Sequence, residues 1–487
     1  HELIPGNIKI IMQEILAGGH AAYLVGGAVR DLLLGRIPAD FDLATDAAPE
    51  EIIALAARAG WKTVDSLGRN FGVAVVVVNG EAVEVATYRG EHYGADAHRP
   101  EKVWFSTTLA EDLSRRDFTI NAMALSIDGI LQDPFDGRKD LSAGLIRTVG
   151  RPRQRFAEDA LRMFRACRFA AELGFDIDGA VLEAMPANLG RVSGLSMERV
   201  REEIQRTLLA KQPERGLDVL VTSGLAGAQC RVTRAAVSEF LPILPELSHM
   251  VGLNQNPRFH LHDVWRHTLK TVQGVPADLT LRWAALFHDV AKGLPGIRGT
   301  GREGFPTDYG HDQYGAQIAQ KILGRFQYGK ALIDRVGWLI GRHMRVTVRR
   351  EDDDRAVWRW LRSEARSGEF RNAGQMAAAF TQLGKLCLAD LAATGRAGDL
   401  AVPRLLANEL AALAAQMPVN TADLNYQADS LRDILGKPHD MGTFLKNVLA
   451  RVQDGVLPNT SAAIEKSARR WLERKISKLE PVARQEE

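Results

Sequence analysis

Cysteine and long apolar runs are both scarce in this chain of 487 residues. The three cysteines, Cys167, Cys230 and Cys387, lie far apart and form no CxxC pair, which argues against a disulfide scaffold. No apolar run reaches the roughly 18 residues that span a bilayer, and the N-terminus lacks a basic-then-apolar signal pattern. The sequence therefore predicts a protein of the reducing cytoplasm with no membrane span.

An excess of charge of one sign is lacking as well. Lys and Arg number 62 against 60 Asp and Glu, a net charge of +2, so the total neither indicates nor excludes a polyanionic partner. The local distribution is uneven: residues 147–168 hold seven arginines against Glu158 and Asp159, and "EKSARRWLERKISK" near the C-terminus is basic too. Separated basic stretches favour backbone contact with a folded RNA; solvated helix faces are the alternative.

Strand signals are concentrated in the first 150 residues. "FGVAVVVVNG" has the β-branched density of a buried strand, and "EAVEVATYR" alternates like its hairpin partner. From about Arg155 the apolar residues take helical spacing. We predict an α+β head with a mixed sheet, followed by an elongated all-α body. The length suggests three or four domains, which we place at 1–150, 151–240, 241–405 and 406–487.

Within the head, "LVGGAVRDLLLGRIPADFDLATD" combines a glycine pair with two acids. Gly26 and Gly27 precede a predicted helix over 28–34 and allow backbone amides to approach a phosphate, which Arg30 could also reach. Asp40 and Asp42 share one face at the end of a predicted strand over 41–44. Such carboxylates repel unless a cation joins them, and Mg²⁺ suits them. The alternative is a solvated Asp pair beside a helix-entry turn.

These residues resemble the signature of DNA polymerase beta superfamily nucleotidyltransferases, in the branch of class II tRNA nucleotidyltransferases and bacterial poly(A) polymerases. "EVATYR", "RRDFTINAMAL", "DPFDGRKDL", "EDALRMFRACRFA" and "SMERVREE" follow in the family's order. The resemblance implies a polymerase-beta-like head with Mg²⁺ on Asp40 and Asp42. It implies that Arg116 contacts the triphosphate and Asp117 the sugar region; Asp117 is also a candidate N-cap. Glu84 is either a third acid near the metals or only a strand carboxylate.

"EDALRMFRACRFA" matches the family's nucleotide-selecting helix. Asp159, Arg162, Arg165 and Arg168 fall at i, i+3, i+6 and i+9, which drifts slowly around a helix. A carboxylate accepts from an exocyclic amine and a guanidinium donates to ring nitrogen or carbonyl oxygen, so such a pair could read C and A without a template. The alternative is an amphipathic helix with salt bridges. We interpret "SMERVREE" as structural, with Ser196 as an N-cap.

A second constellation is rich in histidine. Seven of twelve histidines lie between His249 and His343. Their order with two aspartates resembles the HD phosphohydrolase domain, which implies the ligands His267, His288, Asp289, His311, His343 and Asp390. Such ligands suit one or two transition-metal ions, such as Ni²⁺, Co²⁺, Mn²⁺ or Fe²⁺, that activate water against phosphoesters such as a 2′,3′-cyclic phosphate. His260 and His262 lie nearby but are not included.

The C-terminal "DILGKPHDMGTFLKNVLARVQDGVLPN" resembles the family's tail, which grips the tRNA elbow. The resemblance implies template-independent addition of CCA to tRNA from CTP and ATP, with release of pyrophosphate. The partners would be the tRNA acceptor stem and elbow, with no obligate protein partner evident.

Three related activities and one unrelated role stay open at this point. An A-adding tRNA enzyme or a poly(A) polymerase would share every motif, although the tail favours tRNA. A CC-adding enzyme typically lacks the loop that "YRGEHYGADAHRPEKVWF" provides here, in which His98 replaces a frequent arginine. A non-catalytic RNA-binding protein is the rival from another class, and the intact Asp pair argues against it.

Overall fold

The computed structural model forms two compact units, His1–Leu253 with Ile322–Gln327 and Asn254–Lys321 with Tyr328–Glu487. The residues it describes are 4–64, 72–92, 102–105, 108–234, 237–347, 354–396, 398–436 and 438–483. His98 and the middle of its predicted loop, residues 93–101, lie outside them. The four domain boundaries stay predictions. None of the helices in these ranges combines the length and the apolar character that crossing a membrane requires.

The first unit contains the predicted mixed sheet. Its seven strands lie in the order β3-β4-β5-β2-β1-β8-β9, with β2 and β5 parallel and the other neighbours antiparallel. A separate hairpin joins β6 and β7. The strands of this region are β1 (Ala22–Val25), β2 (Asp42–Thr45), β3 (Lys62–Val64), β4 (Val73–Val78), β5 (Glu81–Thr87), β6 (Arg89–His92), β7 (Lys102–Phe105), β8 (Ala124–Leu125) and β9 (Leu131–Gln132).

The valine-rich run forms β4 as predicted, and alternate residues are buried along it. Asn79 and Gly80 follow with φ values of 53° and 84°. Two consecutive residues of positive φ make the tight turn whose twist matches a hairpin. This turn sets the register in which Val75 pairs with Glu84.

Helices make up most of the rest of the first unit. They are α1 (Gly6–Ala17), α2 (Gly27–Leu33), α3 (Pro49–Arg58), α4 (Leu109–Ser114), α5 (Gly137–Ala143), α6 (Pro152–Glu158), α7 (Leu161–Leu173), α8 (Gly179–Ala184), α9 (Met197–Leu209) and α10 (Pro213–Thr222). Short 3-10 helices lie at Thr119–Asn121, Pro186–Gly194, Leu225–Gly227 and Pro245–Met250.

The body is less purely helical than predicted. β10 (Leu145–Ile146) pairs with β11 (Asp176–Ile177), and β12 (Gln229–Arg234) forms a hairpin with β13 (Val237–Pro242). β12 alternates as a half-buried strand does, with Cys230 and Val232 buried, but its partner β13 is largely exposed, so the hairpin lacks a second strand with the apolar alternation that predicts one.

The second unit is predominantly helical, as predicted. Among its described residues, β14 (Arg298–Thr300) and β15 (Pro306–Asp308) form one small hairpin. One 3-10 helix lies at Thr421–Asp423. The α-helices from this point in the chain onward are α11 (Val264–Gly274), α12 (Leu279–Phe287), α13 (His311–Arg325), α14 (Lys330–Ile340), α15 (His343–Thr347), α16 (Asp354–Ala365), α17 (Ala373–Ala393), α18 (Ala401–Gln416), α19 (Ala428–Leu435), α20 (Pro438–Gln453) and α21 (Ser461–Ala483).

Candidate active site and candidate metal centre

The sheet register brings the glycine turn and the acids together. Val25, the last residue of β1, lies opposite Asp42, the first residue of β2, so Gly26 follows β1 at the point where Asp42 begins β2. Asp40 precedes the strand. The prediction that both aspartates alternate on one strand is therefore wrong in detail, because the strand starts at Asp42. Both side chains nevertheless reach the same cavity.

That cavity has a volume of about 790 Å³ and lies within the first unit. It collects every residue that we predicted for the acid pair and for nucleotide binding. These lining residues are Gly26, Gly27, Arg30, Asp40, Asp42, Arg116, Asp117, Asp159, Arg162, Arg165 and Arg168. Arginines that can bind phosphate, aspartates that can bind a metal ion and side chains that can hydrogen-bond to a base edge therefore line the same cavity.

Both the backbone conformation at position 26 and the nearby Arg116 side chain require glycine at this position. It caps α2 with φ 71° and ψ −135°, a conformation that favours glycine. A Cβ there would lie 2.9 Å from Nη1 of Arg116, so the missing side chain leaves room for that guanidinium. Arg116 is held in turn by Asp112, with 3.2 Å between Nη2 and Oδ2. On α2 itself, Arg30 donates to Asn121 and Asp31, each at 2.9 Å.

The acids around Asp42 form a site suited to a cation. Partial burial raises the pKa of Asp42, the charges of Glu84 and Asp40 raise it further, and Arg116 opposes them. A divalent ion relieves that repulsion, so the residues fit the implied metal. Glu84 lies next to Asp42 because β2 and β5 are parallel, with Leu43 opposite Val85. Glu84 does not line the cavity, and its role as a third acid stays a prediction.

Asp117 is fully engaged by its own chain. Its Oδ1 accepts from the amide of Phe118 at 2.8 Å and from Asn121 at 3.2 Å, and its Oδ2 accepts from Arg165 at 2.6 Å. Burial acts to raise its pKa, but Arg165 and these donors hold the pKa below the usual value. The N-cap of the following 3-10 helix is Phe118, so the predicted N-cap role of Asp117 is wrong.

The predicted selecting helix is broken at Asp159. α6 ends at Glu158 and α7 begins at Leu161, whereas Asp159 is extended with φ −143° and ψ 106°. Its Oδ1 accepts from the amide of Leu161 at 3.0 Å, because a short acidic side chain competes for the free amides of a helix start. The expectation that Asp159 continues the spacing of one helix is therefore wrong, and the three arginines alone share α7.

Each arginine of α7 is fixed by a carboxylate. Arg162 contacts Glu158 at 2.8 Å and donates to the carbonyl of Arg115 at 2.8 Å. Arg168 contacts Glu203 at 2.6 Å and Glu172 at 2.7 Å, and its guanidinium lies 4.1 Å from the centre of the Phe169 ring. Salt bridges, our alternative interpretation of this helix, are thus present together with the cavity. They hold the guanidinium groups in place before a ligand binds.

Sequence reasoning missed the contribution of α9 to the cavity. Ser196 is its N-cap as predicted, with Oγ accepting from the amide of Arg199 at 3.4 Å. Arg199 and Arg206, seven residues apart and so on one face of a helix, also line the cavity. Their spacing was the available signal. Arg89 and Arg115 also line the cavity; they lie within "EVATYR" and "RRDFTINAMAL", but we assigned no role to either.

In the second unit, all six predicted HD residues converge. Two groups form, His267 with His288 and Asp390, and Asp289 with His311 and His343, and the ligand atoms of each lie within 4.8 Å of one another. His267 Nε2 lies 3.0 Å from Asp390 and 3.2 Å from His288 Nε2. All six side chains are buried or nearly so. Among the residues that the structure describes, other groups of three such ligands are absent.

The backbone orients the histidines of this candidate metal centre. The Nδ1 atoms of His288, His311 and His343 each face the carbonyl three residues earlier, at 2.8, 2.7 and 2.7 Å. This arrangement directs Nε2 inward. The Nε2 atom of His343 is buried and has no hydrogen-bond partner in the described part of the chain, and the Nε2 atom of His311 lies 3.3 Å from Oδ1 of Asp289. Inward imidazole nitrogens beside carboxylates fit a transition metal.

The carboxylates of this centre are kept ionised. Burial acts to raise the pKa of Asp289, but His288 and Lys292 hold it well below the usual value; Lys292 Nζ lies 2.7 Å from Asp289. His260, which we left out of the ligand set, packs its ring edge-on against His267 at 4.9 Å and belongs to neither ligand group.

Comparison with known families assigns three regions. Residues 22–147 match the family described as "Poly A polymerase head domain" and residues 174–228 match "Probable RNA and SrmB- binding site of polymerase A". Residues 260–369 match the HD domain. The acid pair therefore lies in the first region, α7 lies between the first and the second, and the four histidines of the candidate metal centre lie in the third.

Named relatives support the same assignment. The chain is 45% identical over 215 residues to a CCA-adding enzyme of Geobacillus sp. (strain WCH70), covering 44% of this chain and 52% of that protein. It is 42% identical over 215 residues to the CCA-adding enzyme of Bacillus subtilis (strain 168), covering 44% and 53%. The chain thus spans about half the length of the curated relatives it matches.

Solved structures match over nearly the whole chain. A CCA-adding enzyme of Bacillus stearothermophilus in complex with CTP superposes with a TM-score of 0.63 and 25% identity, covering 98% of both chains. A CCA-adding enzyme of Thermotoga maritima complexed with tRNA gives a TM-score of 0.55 and 17% identity over 97% of both chains. The second likeness shows a shared fold.

Proposed function

We propose that this chain, a member of the family that the poly A polymerase head domain defines, adds the 3′-terminal CCA to tRNA from CTP and ATP. The observation that carries the proposal is the single cavity of about 790 Å³ lined by the acid pair, by Arg116 and by the Asp159 and α7 groups. A transferase needs these functions side by side, because one nucleotide must be bound, read and attacked in one place.

The residues have distinct roles in this reaction. Asp40 and Asp42 would hold Mg²⁺, which would favour loss of the RNA 3′-hydroxyl proton to solvent and neutralise charge on the triphosphate. Arg116, held by Asp112 and admitted by Gly26, binds the triphosphate. The 3′-oxygen bonds to the α-phosphorus as the bond to pyrophosphate breaks, and positioned cations stabilise the charge that develops.

Base selection follows from the groups at the start of α7. Asp159 accepts from the exocyclic amine that C and A share, and Arg162 donates to the neighbouring ring nitrogen. Arg162 uses both Nη1 hydrogens on Arg155 and Glu158 and one Nη2 hydrogen on Arg115. Its Nε–H and second Nη2–H are left to a base. Arg165 engages Asp117, which places the sugar-side acid and the base-reading helix in one network.

The choice of tRNA as substrate has separate support. The tail forms a compact helical cluster around Leu431, Phe444, Val448 and Ile464, and its last helix carries the basic stretch that we predict contacts the backbone of a folded RNA. The structure with CTP and the structure with tRNA are of enzymes with this fold. The three cysteines are free and buried, which fits a reducing cytoplasm.

One assay tests the proposal. Purified protein is incubated with Mg²⁺, each labelled nucleoside triphosphate and tRNA transcripts ending in the discriminator base, in C or in CC. We expect C on the first two transcripts and A on the third. Addition of A alone to the CC transcript would assign an A-adding enzyme, and a run of A on any RNA would assign a poly(A) polymerase. No addition to any transcript would refute the proposal.

We also infer a second activity, metal-dependent hydrolysis of phosphoesters such as a 2′,3′-cyclic phosphate, at the histidine centre. The two adjacent ligand groups and the inward Nε2 atoms of His311 and His343 support it. Imidazole-rich ligation favours Ni²⁺, Co²⁺, Mn²⁺ or Fe²⁺ over Mg²⁺. Asp289, His288 and their partners would hold the ion, and the ion would supply an activated water.

A further inference from the structure

Asp159 differs from the other carboxylates near α7 in how loosely its second oxygen is held. Oδ1 accepts from the amide of Leu161 at 3.0 Å. Oδ2 faces Nη2 of Arg199 at 3.7 Å, which is within ion-pair range but too long for a hydrogen bond. By contrast, Asp117 and Glu203 are each 2.6 Å from an α7 arginine. Oδ2 of Asp159 is therefore the acceptor that a ligand can reach.

Arg199 reaches that acceptor from a different helix. It lies one turn into α9, lines the cavity and is 41% exposed. The arginines of α7 are committed to tight pairs with other carboxylates, namely Glu158, Asp117 and Glu203. Arg199 is thus the cation placed to set the state of Asp159 without competing for the same contacts.

We propose that Arg199 is a positioning residue for base selection, which keeps Asp159 an ionised acceptor aimed into the cavity and thereby excludes uracil and guanine. The proposal rests on the nucleotide addition proposed above. An ionised carboxylate can only accept, so it suits the amine of C or A and repels the carbonyl of U or G at the same position. A neutral carboxyl group could donate to that carbonyl instead.

Burial and the neighbouring donors and cations act in opposite directions on the ionisation of Asp159. Burial raises the pKa of Asp159, and the amide of Leu161, then Arg199, Arg162 and Arg165 act to lower it. Arg199 comes from α9, and Arg162 and Arg165 come from α7. Removal of the Arg199 charge leaves burial less opposed, so a larger fraction of Asp159 is neutral at a given pH.

The test compares Arg199→Ala with Arg199→Lys and with Arg206→Ala. Arg206 lines the same cavity from the same face of α9 but pairs with Glu172 at 3.3 Å, so its loss removes one positive charge without touching Asp159. The kcat/KM ratio of CTP to UTP is measured between pH 6 and pH 9 on tRNA ending in the discriminator base. Circular dichroism and urea unfolding check that each variant is folded.

We expect the ratio to fall about tenfold in Arg199→Ala at neutral pH, because a larger neutral fraction of Asp159 accepts UTP. Its decline with acidification should begin at a higher pH than in the wild type. Arg199→Lys should restore most of the ratio because it keeps the charge, and Arg206→Ala should lower kcat/KM for both nucleotides while keeping their ratio.

The outcomes separate this inference from the proposed function. A wild type that adds no nucleotide refutes the proposed function itself. A wild type that selects C over U, together with an Arg199→Ala variant whose ratio and pH profile are unchanged, overturns the role of Arg199 alone. An equal fall in the ratio for Arg206→Ala also overturns it, because the effect would then be the charge of the cavity in general.

Discussion

Asp42 lies among acids of its own chain, and that crowding determines its chemistry. Partial burial raises the pKa of Asp42, the charges of Glu84 and Asp40 raise it further, and the charge of Arg116 lowers it. Like charges this close disfavour the ionised carboxylate, and Arg116 opposes them only in part. A cation at this position would relieve the repulsion, which is what the proposed metal-dependent transfer requires.

At this scale we expect Asp42→Asn to lower kcat for nucleotide addition at least about a hundredfold, because several kcal/mol of transition-state stabilisation come from the metal. Affinity for tRNA should change little, as measured by filter binding. Asp128→Asn, at the exposed turn between β8 and β9, is the matched control and should retain wild-type turnover. Near-normal turnover in Asp42→Asn would contradict the metal assignment.

The turn from β1 into α2 shows how an element positions a site. Gly26 has positive φ and faces Arg116, whereas Gly27 is the first helical residue and a Cβ there meets only the Arg30 guanidinium at 3.6 Å. Two adjacent glycines in one motif therefore have different physical requirements. The first admits a guanidinium to the cavity, and the second is compatible with a side chain.

This difference gives a paired prediction. Gly26→Ala should destabilise the protein by about 1–3 kcal/mol, because the strained backbone no longer has glycine to relieve it, and should raise KM for ATP and CTP as Arg116 is displaced. Gly27→Ala should change stability by less than about 1 kcal/mol, because Gly27 has a helical backbone. Urea unfolding and steady-state kinetics measure both. Equal effects at the two positions would argue against this account.

In the second unit, α14 and α16 are joined through one buried carboxylate. Glu364 accepts from the indoles of Trp338 and Trp360, at 2.9 and 3.0 Å, and from Arg342 at 2.7 and 3.0 Å. Burial acts to raise the pKa of Glu364, but these donors hold it below the usual value. Arg342 directly precedes His343 of the candidate metal centre, so the network also fixes the start of α15.

We expect Glu364→Gln to destabilise this unit by about 1–3 kcal/mol at pH 7, since a charged acceptor is lost beside a partly buried guanidinium. The pKa of Glu364 is lower in the folded state than in the unfolded state. Its contribution is therefore complete above the unfolded pKa and is lost as the pH falls through the folded pKa. The stability difference from the wild type should shrink below about pH 4.

Urea unfolding followed by tryptophan fluorescence measures this difference, because two of the partners of Glu364 are tryptophans. Glu369→Gln, an exposed glutamate in the same region, is the control and should behave like the wild type at every pH. A stability difference that is constant with pH would show that ionisation of Glu364 is not what matters.

At the scale of the whole molecule, the sites of the two proposed activities lie in two different units. The acid pair and the base-reading groups lie in the unit that contains residues 1–253, and the histidine centre lies in the unit that begins at Asn254. Their ligands differ in kind as well, with carboxylates in the first and mainly imidazoles in the second. Hard oxygen ligands favour Mg²⁺ and imidazoles favour transition metals, so the two sites need not compete for one ion.

The double variant His288→Ala and Asp289→Ala should therefore keep nucleotide addition near the wild-type rate. Hydrolysis of 2′,3′-cyclic phosphate with Ni²⁺, Co²⁺ or Mn²⁺ should be lost, and so should transition metal measured by mass spectrometry after loading and gel filtration. His439→Ala, at an exposed position of the tail, is the control. A wild type that neither retains a transition metal nor hydrolyses any phosphoester would make the HD region a structural part of the body.

The sequence alone determined the features that depend on short spacing. The glycine pair, the aspartates at 40 and 42 and the valine-rich strand are short local patterns. The HD residues lie farther apart, and their order along the chain follows that of a family. The α+β head and helical body were predicted correctly for the same reason, because strand and helix periods are local properties of a chain.

Tertiary structure decided which distant groups meet. The break of the helix at Asp159 depends on the competition between a side chain and the backbone amide of Leu161, which periodicity does not register. Glu84 lies beside Asp42 because two strands are parallel, and Arg199 faces Asp159 because α9 packs near α7. Contacts between residues 40 positions apart depend on the packing of whole elements, and the spacing of residues along one element contains no record of that packing.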